Sequence, residues 1–199
     1  MKAFLFGSLL VLFLFLLLFV WLHAIGRVPR HYASAPDTAY LDGLESSQQA
    51  AVAPPSPAEG AAWLERIQTC FGVFSVDNLE QTVDGTYAET FYFRDAFHVF
   101  TDRAALKDYM ILSARTSPGV TFSYGTPFWN GVDAYLPWTM QLPPRKDGEA
   151  GQHSMGLTHL RYNDQGQVIF HHDYWDSADV LVPRVPVANG LIELVRRRF

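Results

Sequence analysis

Leu160-Arg161-Tyr162-Asn163-Asp164-Gln165-Gly166-Gln167-Val168-Ile169-Phe170-His171-His172-Asp173-Tyr174-Trp175-Asp176 decides how this chain folds. The stretch reads as two strands joined by a tight Asn-Asp-Gln-Gly turn. Side chains alternate across a strand. Ile169, His171, Asp173 and Trp175 therefore share one face, with Val168, Phe170, His172, Tyr174 and Asp176 on the other. A water-facing strand seldom gathers so many titratable and aromatic side chains, so this one is expected to line a pocket or an interface.

Upstream, the pattern calls for two further strands over residues 121–129 and 132–142, then one over 153–162 leading into the turn. Residues 143–151 form a polar hairpin loop rich in Gly, Pro and charge. Before these come helices. Ser56-Pro57-Ala58-Glu59 resembles a helix start, and Trp63, Ile67, Cys70 and Phe71 recur at the spacing of a buried helical face. Asp77 or Asn78 is expected to cap a second helix with Leu79, Val83 and Tyr87 along one side. A short strand at Phe91-Tyr92-Phe93 and a third helix over residues 104–113 complete the set. Helices followed by a run of strands predict an α+β domain, with about three helices packed against one face of a curved antiparallel sheet.

The chain has 199 residues, 15% of them aromatic, and a formal charge of -5. That is enough for one domain with an apolar core, and the scattered basic residues exclude a nucleic-acid surface. The single cysteine, Cys70, excludes an internal disulfide, and its apolar neighbours mark it as a buried structural thiol. Residues 3–25 are almost wholly apolar, long enough for a membrane-spanning helix and longer than a signal-peptide core. The chain therefore divides into a transmembrane anchor over 1–25, a flexible Ala/Ser/Pro-rich linker over 26–58, a folded domain over 59–180 and a tail over 181–199. The tail suggests a short amphipathic helix ending in Arg196-Arg197-Arg198. Localisation is single-pass membrane. Lys2 on one flank nearly balances Arg27 and Arg30 on the other, so the side is undetermined.

Two blocks resemble a known family. Tyr87-Ala88-Glu89-Thr90-Phe91-Tyr92-Phe93-Arg94-Asp95 looks like the segment leading into the first strand of the ketosteroid-isomerase-like, or nuclear-transport-factor-2-like, cone. The stretch from Leu160 to Asp176 is similar to its ending. The resemblance covers roughly residues 60–180 and implies a cone-shaped sheet around an apolar cavity, and a homodimer through that sheet. It places Asp95 where the family's isomerases hold a general base, which needs a carboxylate at the mouth of an apolar cavity. Capping of the loop before Phe97, or pairing with Arg94 or Arg103, is the alternative role for Asp95. The isomerases' oxyanion donors are a tyrosine and a protonated acid. Here they fall at or next to Phe71 and at Thr158, so the resemblance does not extend to steroid-type isomerisation.

The resemblance also directs the Trp175 face into the cavity, bringing His171 and Asp173 with it. Asp95, His171 and Asp173 are then the candidate catalytic residues, a carboxylate–imidazole set suited to proton transfer. Thr158, Trp175, Trp138 and Tyr124 are candidates for ligand binding. Polyketide-cyclase-like members look to use a His and an Asp on the final strands. His159 with Asp173 would be the comparable pair, although alternation puts His159 opposite Thr158. His153, His159, His171, His172 and Asp173 raise the question of a metal, but adjacent histidines point to opposite faces, so no metal and no cofactor is expected. Two functions stay open: a module that binds a small hydrophobic ligand, or a cofactor-free isomerase- or cyclase-type enzyme acting on a carbonyl or lipid-like substrate.

Overall fold

The computed structural model describes residues 12–21, 38–50, 55–144, 151–181, 190, 192, 194, 195, 197 and 198. Residues 12–21 are helical with exposed apolar side chains. Among the described residues no helix is long and apolar enough to cross a membrane. Most of the expected anchor, the segment 145–150 of the hairpin loop and most of the basic tail lie outside the described residues.

The remaining helices are α1 (Thr38–Ala50), α2 (Pro57–Gly72), α3 (Val76–Thr86), α4 (Arg103–Thr116) and the short α5 (Ala178–Leu181). The strands are β1 (Tyr87–Arg94), β2 (Val99–Phe100), β3 (Thr121–Tyr124), β4 (Phe128–Asn130), β5 (Asp133–Leu142), β6 (Gln152–Tyr162) and β7 (Val168–Trp175). They form one open sheet in the order β2-β1-β7-β6-β5-β3, with β4 beside β5.

Helix starts follow local chemistry. Ser56 caps α2 in a reciprocal box with Glu59, and Asp102 caps α4. The cap of α3 is Ser75, not Asp77 or Asn78. Asn78 instead donates through Nδ2 to the carbonyls of Thr69, Cys70 and Val73, tying α3 to the end of α2. Leu64, Ile67 and Cys70 of α2, Leu79 and Val83 of α3, and Leu106 and Met110 of α4 bury themselves against the inner face of the sheet. The turn that opened the sequence analysis is closed by Asn163, whose Oδ1 accepts from the Gln165 and Gln167 amides. Gly166 has φ of 69° and lies under the Trp63 indole, where a Cβ would sit 2.3 Å from the ring. Only glycine meets both demands.

Four expectations need correction. The sheet is mixed, because β1 pairs parallel to β7. The chain reaches β7 only after the long crossover through α4 and β3 to β6, and such a crossover lets it return in the same direction. The strand expected at 121–129 is broken at Gly125-Thr126-Pro127, where Pro127 has no amide to donate to a ladder. Tyr87 opens β1 instead of extending α3. The expected 26–58 linker contains α1, a helix packed on the sheet's outer face.

Helix α1 presents Tyr40, Gly43, Leu44 and Ser47 along one side, the helical i, i+3, i+4, i+7 spacing. Gly43 meets the Tyr92 ring so closely that a Cβ would lie 2.7 Å from it. Tyr40 packs edge-on against His172 and hydrogen-bonds the Tyr174 hydroxyl at 3.0 Å. Arg161, buried on β6, donates from Nη1 to the Leu44 carbonyl at 2.6 Å and to Ser47 Oγ at 2.9 Å. Its Nε reaches Asp133 Oδ1 at 2.5 Å, and His159 Nε2 meets the same oxygen at 2.7 Å. Burial raises the Asp133 carboxyl, but the Arg161 and His159 partners outweigh it and hold the group below its ordinary value.

His172 under α1, and His159 beside Asp133 and Phe170 on the same face of the sheet, both have imidazoles disfavoured as cations. Burial, then the Arg94 charge, lowers His172 from 6.5 to about 4, and burial lowers His159 despite its Asp133 partner. A histidine with a depressed folded value contributes stability above its unfolded value and loses it as pH falls through the folded one. The α1 face should therefore loosen as pH drops from about 6.5 toward 4. Hydrogen exchange of the amides of residues 38–50 at pH 7 and pH 4.5 measures it. The acid-induced gain in exchange should shrink in His172→Phe; an identical gain would show that His172 is not the group responsible.

Candidate functional site

Between α2, α4 and the inner face of the sheet lies a cavity of about 250 Å³. Aromatic rings make much of its wall, with Phe71 near the end of α2, Phe74 just beyond it, Phe122 and Tyr124 on β3, Trp138 on β5 and Trp175 on β7. Alternation on β7 holds from Phe170 to Trp175, but the register shifts at the strand's start, and Val168, expected on the outer face, joins the inner core. His171, Asp173 and Trp175 face this cavity, while Phe170, His172 and Tyr174 face α1. All seven residues singled out from the sequence line the cavity: Asp95, His171, Asp173, Thr158, Trp175, Trp138 and Tyr124. His159 does not, being on the outer face with Asp133.

Asp173 is the end point of two converging hydrogen-bond paths. Thr158 stands opposite it in the β6–β7 register and donates from Oγ1 to Asp173 Oδ1 at 2.5 Å. The Trp138 indole, which can only donate, reaches Thr158 Oγ1 at 2.8 Å. Gly156 makes this reach feasible, since a Cβ there would lie 2.3 Å from the Trp138 ring. From the other side, His171 Nε2 meets Asp173 Oδ1 at 3.0 Å and His171 Nδ1 meets the Tyr87 hydroxyl at 2.8 Å. Burial pushes the Tyr87 phenol well above its ordinary value, helped by the charges of Cys70 and Asp173. Tyr87 therefore stays protonated and donates to Nδ1, which assigns the Nε2 proton to Asp173. Both paths load Oδ1. Oδ2 of Asp173 has no hydrogen-bond partner among the described residues.

Asp95 is placed differently. Its Oδ1 accepts the amides of Phe97 and His98, both at 2.7 Å, and its Oδ2 accepts the Tyr109 hydroxyl at 2.5 Å. The loop-capping role weighed from the sequence is thus present in the geometry, and both oxygens are engaged. Burial and the Asp95 charge keep the Tyr109 phenol protonated, far above its ordinary value, so it donates to Asp95.

The oxyanion positions remain without an acid. Phe71 lines the cavity with a bare ring, and Thr158 already gives its one proton to Asp173. Tyr124 is the open donor, with a hydroxyl that has no partner among the described residues. Burial, with the Cys70 and Asp173 charges, raises its phenol well above the ordinary value. Sequence reading missed Tyr87 and Tyr109 as parts of the site. Tyr109 carried a signal, as a polar-tipped ring between Leu106 and Ser113 on the inner face of α4. Tyr87 carried none, because its role depends on β1 lying beside β7. Among the described residues no cluster of three or more His, Cys, Asp or Glu is arranged to hold a metal ion.

Solved structures share this arrangement of helices and sheet. A candidate polyketide cyclase from Acidithiobacillus ferrooxidans superposes with a TM-score of 0.50 at 16% identity, over 64% of this chain and 95% of the other. The fold is that of the nuclear-transport-factor-2-like cone. A candidate hydroxylase from Streptomyces galilaeus matches this cone with a TM-score of 0.50 at 14% identity, over 64% of this chain and 85% of the other. No family model matches the sequence, and no curated protein does. At these identities the likeness establishes the cone and leaves its chemistry to the residues in it.

The loop role of Asp95 has a direct check. Asp95→Ala strands two loop amides and the Tyr109 hydroxyl, and should lower unfolding stability by about 1–3 kcal/mol. Asp95→Asn keeps an acceptor for the amides and should lose clearly less. Equal denaturation midpoints for Asp95→Ala and the unaltered chain would remove the capping role.

Proposed function

We propose that this chain binds a small, mainly apolar molecule in the cone's cavity. The observation that carries this reading is a wall almost wholly of aromatic and aliphatic side chains around one open carboxylate oxygen, Asp173 Oδ2. That is the composition of a ligand site, with an apolar lining giving affinity and few polar groups giving orientation. At about 250 Å³ the cavity falls just below the roughly 300–1,000 Å³ typical of such sites, which favours a compact ligand. The likeness to a candidate polyketide cyclase and a candidate hydroxylase supports a cavity built for a small molecule.

A second reading, proton transfer, is favoured by the pairing of Asp173 Oδ2 with the open Tyr124 hydroxyl. Asp173 would take a proton from a carbon next to a carbonyl, and Tyr124 would donate to the oxygen on which charge develops. His171, oriented by Tyr87, would hold the carboxylate in place. Asp95 contributes here through the loop that carries Phe97, since its oxygens are occupied.

One experiment addresses both readings. Titration of the full chain with β-tetralone should quench Trp138 and Trp175, and Val120→Trp, which fills the cavity, should weaken binding by about tenfold or more. Unchanged affinity in a folded Val120→Trp chain would dismiss the cavity as the site. Faster exchange of the ketone's α-hydrogens with deuterated water, lost in Asp173→Asn, would select the enzyme; binding without exchange selects the binding module.

The apolar run over residues 3–25 supports a further proposal, that the cone is tethered to a membrane by a single N-terminal span. The full chain should then stay with the membrane fraction after an alkaline carbonate wash, and its release to the supernatant would refute the anchor. A homodimer through the sheet is proposed only in a form that packs on α1, because α1 covers the outer face around His172 and Tyr174.

A further inference from the structure

The charge of the cavity wall narrows the ligand, on the premise of the binding reading above. Among the described residues two carboxylates line the cavity, Asp95 and Asp173, and no lysine or arginine does. Asp95 is satisfied by neutral donors alone: two loop amides and the Tyr109 hydroxyl. The only basic side chain in the wall among the described residues is His171, and its two nitrogens are committed to Tyr87 and Asp173. Beyond this hydrogen bond from His171, Asp173 stands in an apolar chamber with no lysine or arginine beside it among the described residues. A carboxylate so placed is costly unless something of opposite charge joins it.

From this geometry we infer that the cavity takes a compact apolar amine, bound as its ammonium ion. The ammonium group donates to Asp173 Oδ2, the acceptor left open by the two paths that end on Oδ1. The rings of Trp138, Trp175, Tyr124 and Phe122 border the same chamber, and an aromatic face turned to the ammonium attracts it through the ring quadrupole. The hydrocarbon body fills the space between Met140, Val120 and Leu136. A carboxylic acid of the same shape meets two carboxylates and, among the described residues, no lysine or arginine, and is excluded. A neutral alcohol gains the hydrogen bond without the charge interaction and binds between these limits.

Calorimetric titration of the full chain near neutral pH with adamantan-1-amine, adamantan-1-ol and adamantane-1-carboxylate tests the ranking. These probes share one compact hydrocarbon body and differ in the head group. The amine should bind about tenfold or more tighter than the alcohol, and the carboxylate should show no heat of binding. In Asp173→Asn the amine-to-alcohol ratio should fall toward one. Alcohol binding as tight as amine binding, or measurable carboxylate binding, would overturn the amine assignment while leaving the cavity as a ligand site. An amine preference that survives in Asp173→Asn would overturn it as well. If none of the three probes binds, the ligand-binding reading itself fails, and the amine with it. The three-ligand comparison on the unaltered chain decides the ranking even if Asp173→Asn does not fold.

Discussion

Four adjacent strands are joined across the cavity by one chain of side-chain hydrogen bonds. It runs from Trp138 on β5 to Thr158 on β6, to Asp173 and His171 on β7, and to Tyr87 at the start of β1. Strand order places these elements side by side, so the chain crosses the sheet at right angles to its backbone ladder. Each donor in it has a fixed direction, and every proton points toward Asp173. Buried groups left unpaired cost about 1–3 kcal/mol each, so any other registry of β6 against β7 would strand several at once. The same bonds that hold registry also fill Oδ1 of Asp173 and leave Oδ2 open. Structure and site are thus set by one constraint.

The two faces of β7 show how a period of two divides work. On the inner face, His171, Asp173 and Trp175 meet a cavity. On the outer face, His172 and Tyr174 meet a helix. A slip by one residue would exchange the two sets and put the polar chain under α1. The Gly166 turn, clasped by Trp63 and by Arg66 donating to the Gln165 and Gly166 carbonyls, guards against that slip at the strand's entrance.

Much of the cone was legible because it depends on patterns that sequence carries directly. Alternation on β7 identified which of six crowded residues look inward, and Ser56-Pro57-Ala58-Glu59 marked the region where α2 starts. The parallel pairing of β1 with β7 was not legible, since alternation looks the same in parallel and antiparallel strands. With it went the role of Tyr87, which is a matter of neighbouring strands and not of local spacing. Helix α1 escaped for another reason. It docks through Gly43, Ser47 and a backbone carbonyl, not through an apolar stripe, so a reading tuned to hydrophobic periodicity sees only a polar linker. Asp95 was half legible: its position in the cavity followed from the resemblance, but its saturation by two amides and Tyr109 needed coordinates.

The dependence of Arg161 on α1 bears on where the folded unit begins. Its guanidinium is buried on the sheet and finds the Leu44 carbonyl and Ser47 hydroxyl only because that helix lies across it. A fragment starting at residue 59, where the core pattern begins, would keep the cavity yet open a face of Tyr92, Phe170 and His172 to water. It would also leave a cation that had lost two of its acceptors. Exposed aromatic faces of this kind invite association. The practical domain boundary is therefore at residue 38, some twenty residues ahead of where hydrophobicity alone would draw it.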